Sequence, residues 1–256
     1  MDFSVVSHLA AMLALGAALG FFGGVFGIGG GIIAIPILVL GFGMDQPVAQ
    51  GTALVMMVPN LMVGWWRYTR RHPVPLGSAI GIGLVATATT WLVAGFATRL
   101  DPMLLKVCFS LFLAALALNL MIRRAGKSGE DGGKPVSGRF LPLVGIAGGS
   151  SMGLLGIGGG LVATPILTGW FGLRQTVAQS FSLALVAPSS VAALATYAGA
   201  HRVDWSVGLP LAVSGLFTVS AGVAQAHRLP ERRLRTAFAW LVLAAAAWLL
   251  AGPFLH

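Results

Sequence analysis

Charged residues are scarce along this chain. Only 9% of its 256 residues are Asp, Glu, Lys or Arg, and 57% are hydrophobic, whereas about 25% of the residues of a soluble domain are charged. So few charges could not cover the surface of a soluble fold of this size. The composition therefore excludes an ordinary soluble domain and predicts a membrane protein.

Ionisable side chains are also missing from the apolar segments. The seven Asp and Glu residues and the histidines all fall in predicted loops or at ends, and the single cysteine, Cys108, leaves no disulfide or Cys-based metal site. Proton-coupled and cation-selective transporters usually keep ionisable groups within the membrane, and hydrolases need a nucleophile beside a base. We therefore expect no enzyme, no cofactor and no metal.

Long apolar runs make up most of the chain. Runs of about 20 residues fit the hydrocarbon thickness of a bilayer, so they predict an all-α polytopic membrane protein with the lipid bilayer as a partner. Two shorter stretches, 31–43 and 160–173, directly follow glycine-rich loops. The long runs lie at roughly 9–26, 47–66, 74–98, 102–122, 140–157, 177–198, 205–226 and 234–255.

The net charge of +9 comes mainly from short loops. It indicates membrane orientation rather than nucleic-acid binding, because no basic face is interleaved with stacking aromatics. Suppose that the loop Arg67–His72 is cytoplasmic, that each glycine-broken element enters and returns on one side, and that every other long run crosses once. Then 13 of the 16 Lys and Arg residues are cytoplasmic. Both termini are then predicted outside.

An internal repeat relates the two halves of the sequence. Residues 23–61 align with 152–190 without a gap and share 18 identities in 39 positions, including Gly, Gln and Pro, which chance similarity between apolar helices rarely preserves. We predict a first transmembrane repeat at 1–122, a cytoplasmic linker at 123–139 and a second repeat at 140–256. Each repeat is a Gly-broken helical hairpin followed by three transmembrane helices. Equivalent loops carry unequal numbers of basic residues, which favours inverted-topology repeats over parallel ones.

Each repeat contains the sequence GIGGG. Its glycines allow a sharp reversal and leave backbone N–H groups bare at the start of a short helix, where the helix dipole also favours an anion. Pro36 and Pro165 are predicted helix-break residues, since each leaves a carbonyl without its helical partner. A purely architectural turn is the alternative interpretation. The candidate substrate-binding glycines are Gly27, Gly29, Gly30, Gly31, Gly156, Gly158, Gly159 and Gly160.

Small and polar residues add two further patterns. Glycines at every fourth position predict close helix packing; they are Gly16, Gly20, Gly24, Gly145, Gly149 and Gly153. Neutral hydrogen-bond donors after each hairpin suit a cavity that faces an oxyanion, although Ser and Thr often bond to their own helix instead. The candidate binding side chains are Gln50, Thr52, Gln179, Ser180 and Ser182.

The doubled pattern G-x-G-G-G-x-x-x-x-P-x-L, at Gly27–Leu38 and Gly156–Leu167, resembles the TauE/SafE sulfite-exporter family of membrane permeases. The segments Ala49–Leu54 and Ala178–Leu183 resemble its small-polar helix segment, although Ala53 stands where the family pattern suggests Ser. The resemblance covers nearly the whole chain. It implies an anion permease that moves sulfite, organosulfonates or related sulfur oxyanions, usually outward across the bacterial inner membrane.

Together these patterns predict a secondary transporter of a small sulfur-containing anion, bound where the two GIGGG loops meet near the bilayer midplane. Gln50 and Gln179 would supply side-chain donors, and one repeat would rock against the other. A passive anion channel and a non-transporting membrane partner or sensor remain alternatives. The sequence leaves the particular anion, the driving force and a homo-oligomeric state open.

Overall fold

The computed structural model describes residues 3–26, 29–71, 75–122, 140–173, 175–226 and 231–251. Within these ranges the protein is built from α-helices and contains no β-strand, which confirms the all-α prediction. The helices are α1 (Phe3–Phe26), α2 (Gly31–Gly41), α3 (Gln46–Arg71), α4 (Leu76–Ala97), α5 (Pro102–Ile122), α6 (Leu141–Leu155), α7 (Gly160–Gly169), α8 (Gln175–Gly199), α9 (Trp205–Ala226) and α10 (Glu231–Ala251).

The helices follow the predicted apolar runs. Five of the described helices, α3, α4, α5, α8 and α9, are long and apolar enough to cross a membrane. Large apolar side chains on their outer surface, such as Trp91 at 61% and Phe217 at 79% exposure, suit contact with lipid rather than water. The chain is therefore a multi-pass membrane protein. One detail differs from expectation: α1 begins at Phe3 and so includes His8.

The two halves contain the same series of helices. Four helices of the second half begin at the repeat equivalents of the residues where their counterparts begin: α7 corresponds to α2, α8 to α3, α9 to α4 and α10 to α5. Each half is thus a broken hairpin followed by three helices. The predicted linker 123–139 and the two chain ends, 1–2 and 252–256, lie outside the described residues.

Helices α3 and α8 form the centre of the protein. Of each apolar span, 61% is buried, against 28% for α4, 28% for α5 and 39% for α9. Gln50 of α3 contacts Tyr197 of α8, and farther along α3 a Cβ on Gly64 would lie 3.7 Å from Leu183. From the first contact to the second, the residue number increases along α3 and decreases along α8. These two equivalent helices therefore run antiparallel.

The first helix of each half packs along the fourth helix of the other half. A Cβ on Gly20 of α1 would overlap the backbone of Gly215 in α9, and a Cβ on Gly149 of α6 would lie 2.5 Å from the carbonyl oxygen of Ala86 in α4. Thr90 Oγ1 donates to the Gly149 carbonyl at 3.0 Å. Small residues thus let the helix backbones approach, as predicted for these glycines, and the two repeats interlock.

Candidate functional site

The two glycine loops meet inside the protein, at the crossing of α3 and α8. A Cβ on Gly31 would lie 3.5 Å from the carbonyl oxygen of Gly156, so the backbones of the two loops are neighbours. The side chain of Met57 from α3 lies beside both Gly31 and Gly158. Gly29–Gly31 and Gly156–Gly159 are buried, and Gly27 lies outside the described residues.

The loops form because glycine permits two unusual features of the backbone. Gly30 adopts a φ of 89°, a left-handed conformation that costs a side-chain-bearing residue roughly 1–2 kcal/mol. At the equivalent position in the second repeat, a Cβ on Gly159 would overlap the backbone of Gly148. Each loop therefore folds back onto the helix that precedes it, and a new helix starts at once.

Helices α2 and α7 begin in the loops without side-chain caps. The carbonyl of Gly30 accepts hydrogen bonds from the backbone of Ile33 and Ala34 at 3.1 and 3.0 Å. Neither Gly30 nor Gly159, the residues before the two helices, makes a side-chain cap. An uncapped N-terminus leaves backbone N–H groups available and carries the positive end of the helix dipole. Both helices start from glycine loops that are neighbours, and each start favours negative charge.

Helices α2 and α7 each contain a proline, but the chain does not turn there. Helix α2 continues through Pro36 to Gly41, and α7 continues through Pro165 to Gly169. A proline lacks a backbone N–H group, so each still leaves one helical carbonyl without its usual donor. The reversals of the chain lie at the glycines.

Gln50 of α3 lies against the second glycine loop. Its side chain is fully buried, and a Cβ on Gly156 would lie 3.2 Å from the Gln50 Cβ. The Tyr197 hydroxyl donates to Gln50 Oε1 at 2.8 Å and lies 3.2 Å from the carbonyl oxygen of Gly153. Gln50 Nε2 has no hydrogen-bond partner. This leaves a buried amide donor beside the loop.

Two further buried amides lie on the same side of α3. Gln46 is 2% exposed and Asn60 is 4% exposed, and neither amide has a partner for its oxygen or its nitrogen. At about 100° per residue, Gln46, Gln50 and Asn60 fall within an arc of roughly 80°. A buried amide without a partner is costly, so this polar stripe is suited to contact a ligand or water.

The second repeat contributes hydroxyl groups that have no counterpart in the first. Thr164 Oγ1 and Ser182 Oγ lie 2.8 Å apart, and a Cβ on Gly160 would lie 3.6 Å from the Ser182 Cβ. The equivalent residues of the first repeat are Ile35 and Ala53. The polar lining is therefore asymmetric.

The remaining polar candidates have different surroundings. Thr52 Oγ1 accepts a hydrogen bond from the Asp204 backbone N–H at 2.9 Å, so it holds the turn before α9 instead of lining a glycine loop. Gln179 is half-buried and Ser180 is buried, and Ser180 has an interaction partner. Farther along α8, Ser189 and Ser190 donate to carbonyls of their own helix, as Ser and Thr in helices often do.

Sequence reasoning missed Gln46, Thr164 and Tyr197. A signal for Tyr197 was present: the chain has two tyrosines, Tyr68 and Tyr197, and they occupy equivalent positions of the repeat. Within the described part of the chain, no group of three His, Cys, Asp or Glu side chains could hold a metal ion.

Comparisons with known proteins place these features in context. The profile of the family described as "Sulfite exporter TauE/SafE" matches residues 12–249. A "Probable membrane transporter protein" of Xylella fastidiosa (strain Temecula1) is 27% identical over 252 residues, covering 96% of each chain. A relative with a similar description from Methanocaldococcus jannaschii is 26% identical over 254 residues, covering 92% of each chain. No solved structure matches the chain.

Proposed function

The chain belongs to the sulfite exporter TauE/SafE family, whose relatives are named as membrane transporters, and on that premise we propose that it is a secondary transporter of a small sulfur-containing anion. Sulfite and organosulfonates are the proposed substrates, and export is the proposed direction. The observation that carries the proposal is the proximity of the two glycine loops, from which α2 and α7 start without side-chain caps, together with the unpaired amide of Gln50 against the second loop at Gly156.

The chemistry of this site suits an oxyanion. Backbone N–H groups and the Gln50 Nε2 group are neutral donors, and the helix dipoles add positive potential without a buried cation. Asp45, Asp101 and Asp204 precede helices at the ends of the apolar spans. A sulfonate or sulfite group offers several oxygens, so it can accept hydrogen bonds from both loops at once.

We also propose that the two repeats have inverted topology. The antiparallel course of α3 and α8, which are equivalent by the repeat, supports a two-fold axis in the membrane plane, because an axis along the membrane normal would leave equivalent helices parallel. The orientation by basic residues puts Asp45 and Asp204 outside in a bacterial inner membrane, with the Arg70 end of α3 in the cytoplasm. Alternating access would then come from one repeat rocking against the other.

The first experiment measures flux in proteoliposomes. Sulfite, thiosulfate and sulfoacetate are compared with chloride and sulfate, under both membrane polarities. We expect saturable flux and counterflow for one sulfur anion. Single-channel conductance would indicate a passive channel instead, and absence of flux for every anion would favour a non-transporting partner or sensor.

Variants then locate the site. Ala at Gly160 would meet its neighbours at ordinary contact distances of 3.6 and 3.7 Å, so Gly160→Ala adds a methyl group to the start of α7 without a clash. Gln50→Glu keeps the shape of the side chain and places a carboxyl group where the anion is proposed to bind. We expect both to raise the KM for flux about tenfold or more. Gly81→Ala is the control, because a Cβ there meets nothing within 4 Å; equal effects of all three would exclude this site.

A further inference from the structure

Met57 of α3 lies between the two central glycine loops. Its side chain is fully buried. A Cβ on Gly31 of the first loop would overlap the Met57 Sδ atom, and a Cβ on Gly29 would lie 3.7 Å from the Met57 Cε. The same Cε would lie 4.0 Å from a Cβ on Gly158, in the second loop. One flexible side chain therefore lies beside the backbones of both loops.

The Met57 side chain fills the space that an anion would need in order to contact both loops. Gly31 is the first residue of α2, where backbone N–H groups are available, and a Cβ on it would lie 3.5 Å from the carbonyl oxygen of Gly156. A thioether carries no charge and accepts hydrogen bonds only weakly. Met57 therefore affects a ligand at this point mainly through its shape.

Unpaired amides lie on both sides of Met57 along α3. Gln50 precedes Met57 by about two helical turns and Asn60 follows it by about one, and all three fall within an arc of roughly 80°. Gln50 Nε2 and both polar atoms of the Asn60 amide are buried and have no hydrogen-bond partner. Buried polar groups are normally paired with protein, water or a ligand. The two amides thus point to a ligand or water at the level of Met57, independently of the loops.

The second repeat has a shorter side chain at the equivalent position. Val186 is the counterpart of Met57, and its methyl groups would lie 3.4 Å from a Cβ on Gly158 and 3.7 Å from one on Gly160, both in the second loop. Valine is short and has a restricted χ1, whereas methionine is long and adapts its shape to the space around it. The space between the loops is therefore filled from the first repeat.

We propose that Met57 is a specificity-determining residue, whose side chain limits the size of the anion held between the two loops. The inference rests on the proposed function, because that function places the anion at the loops. A compact oxyanion fits beside the thioether, and a longer carbon chain on the sulfur meets it. Packed interiors resist added methylene groups, and one methylene changes discrimination by about tenfold or more.

The test uses linear alkanesulfonates, from methanesulfonate to butanesulfonate. They share one head group and differ only in the length of the carbon chain. Met57→Ala removes the Cγ, Sδ and Cε atoms and so leaves space for about three more ligand atoms, as large-to-small substitutions in a packed core do. Affinity is measured in detergent from the ligand-dependent rise in melting temperature, and flux of the same anions is measured in proteoliposomes.

In the parent protein we expect affinity to fall as the alkyl chain lengthens. In Met57→Ala the affinity for butanesulfonate relative to methanesulfonate should rise by about tenfold or more. Tighter binding of a longer ligand is a gain, which a loosened protein would not produce. Met57→Val is a smaller truncation, so it keeps the test available if Met57→Ala does not fold; it should favour ethanesulfonate or propanesulfonate over methanesulfonate in the same way.

Two controls separate a size limit from general packing. Met57→Leu roughly conserves volume, so it should keep the parent's order of affinities. Met12→Ala makes the same truncation at a buried methionine of α1, about 21 Å of straight helix before the end of α1 at Phe26. An unchanged ratio of affinities in both Met57→Ala and Met57→Val, or an equal rise in Met12→Ala, overturns the size limit.

Flux in the parent protein separates this inference from the proposed function. A shifted order of binding in the Met57 variants without flux of any anion in the parent supports the size limit and removes the assigned transport. Saturable flux of a sulfur anion in the parent, with the same order of binding in every Met57 variant, supports transport and removes the size limit. Absence of alkanesulfonate binding in the parent and in all Met57 variants also removes it.

Discussion

The hydroxyl groups of Thr164 and Ser182 lie 2.8 Å apart and join α7 to α8 beside the first residue of α7. The corresponding residues of the first repeat, Ile35 and Ala53, cannot form such a bond. Two loops of the same sequence therefore have unlike surroundings, one apolar and one polar. An anion between them would meet more hydrogen-bonding groups on the side of the second repeat.

The hydroxyl pair is predicted to contribute to stability as a unit. Thr164→Val or Ser182→Ala leaves the other hydroxyl without this partner, and we expect each to lower the free energy of unfolding by about 1–2 kcal/mol. The double variant should lose clearly less than the sum, since the second substitution removes a group that is already unpaired. Thermal unfolding in detergent measures all three; additive losses would show that the two hydroxyls act independently.

Neighbouring glycines of the second loop are predicted to respond differently to alanine. A Cβ on Gly159 would overlap the backbone of Gly148, whereas one on Gly160 would meet side chains at 3.6 Å or more. We expect Gly159→Ala to destabilise the protein by about 1–3 kcal/mol, the usual effect of overpacking, and Gly160→Ala to change stability by less than about 1 kcal/mol. The melting temperatures of the two purified variants test this difference.

Comparing flux with stability in these two variants also separates a packing role of the second glycine loop from a binding role. Gly160→Ala should weaken anion flux while the melting temperature stays near that of the parent, because the methyl group enters the start of α7 and not a backbone contact. Loss of stability in Gly160→Ala equal to that in Gly159→Ala would mean that the loop is an architectural turn alone.

Much of the helical architecture could be predicted from the sequence, because bilayer thickness imposes a length on each apolar run. The repeat predicted the equivalence of the two halves, and the spacing of Gly20 and Gly149 from their neighbouring glycines predicted close helix packing. Both signals are local or periodic, so a single sequence is enough to detect them.

Contacts between distant segments could not be predicted in the same way. No sequence pattern distinguishes Thr164 from threonines that bond to their own helix, and its pairing with Ser182 depends on how α7 lies against α8. Thr52 had the right residue type for the site, yet it holds the turn at Asp204. Residue type and spacing along one helix do not specify which neighbouring helix a side chain faces.

The amide of Asn60 is predicted to destabilise the folded protein and, at the same time, to contribute to anion transport. It is 4% exposed and has no partner for either of its polar atoms. Asn60→Leu removes this unpaired group with little change in shape, so we expect a gain of about 1 kcal/mol in the free energy of unfolding together with reduced anion flux. Asn119→Leu is the control, because Asn119 is exposed on α5. Unchanged flux in Asn60→Leu would remove Asn60 from the polar stripe that contacts the substrate.

The relation between the repeats makes a prediction about membrane sidedness. Asp45 follows α2 and is exposed, and its equivalent, Arg174, is a position outside the described residues. Inverted repeats require equivalent positions on opposite faces of the membrane, so Asp45→Cys and Arg174→Cys, in a Cys108→Ser background, should react with an impermeant thiol reagent from opposite sides. A cross-link between cysteines at Gly64 and Leu183 should also form in the same background, because these positions adjoin in the antiparallel pair. Labelling of both single cysteines from one side would mean that the repeats are parallel, and the rocking mechanism would then need a different axis.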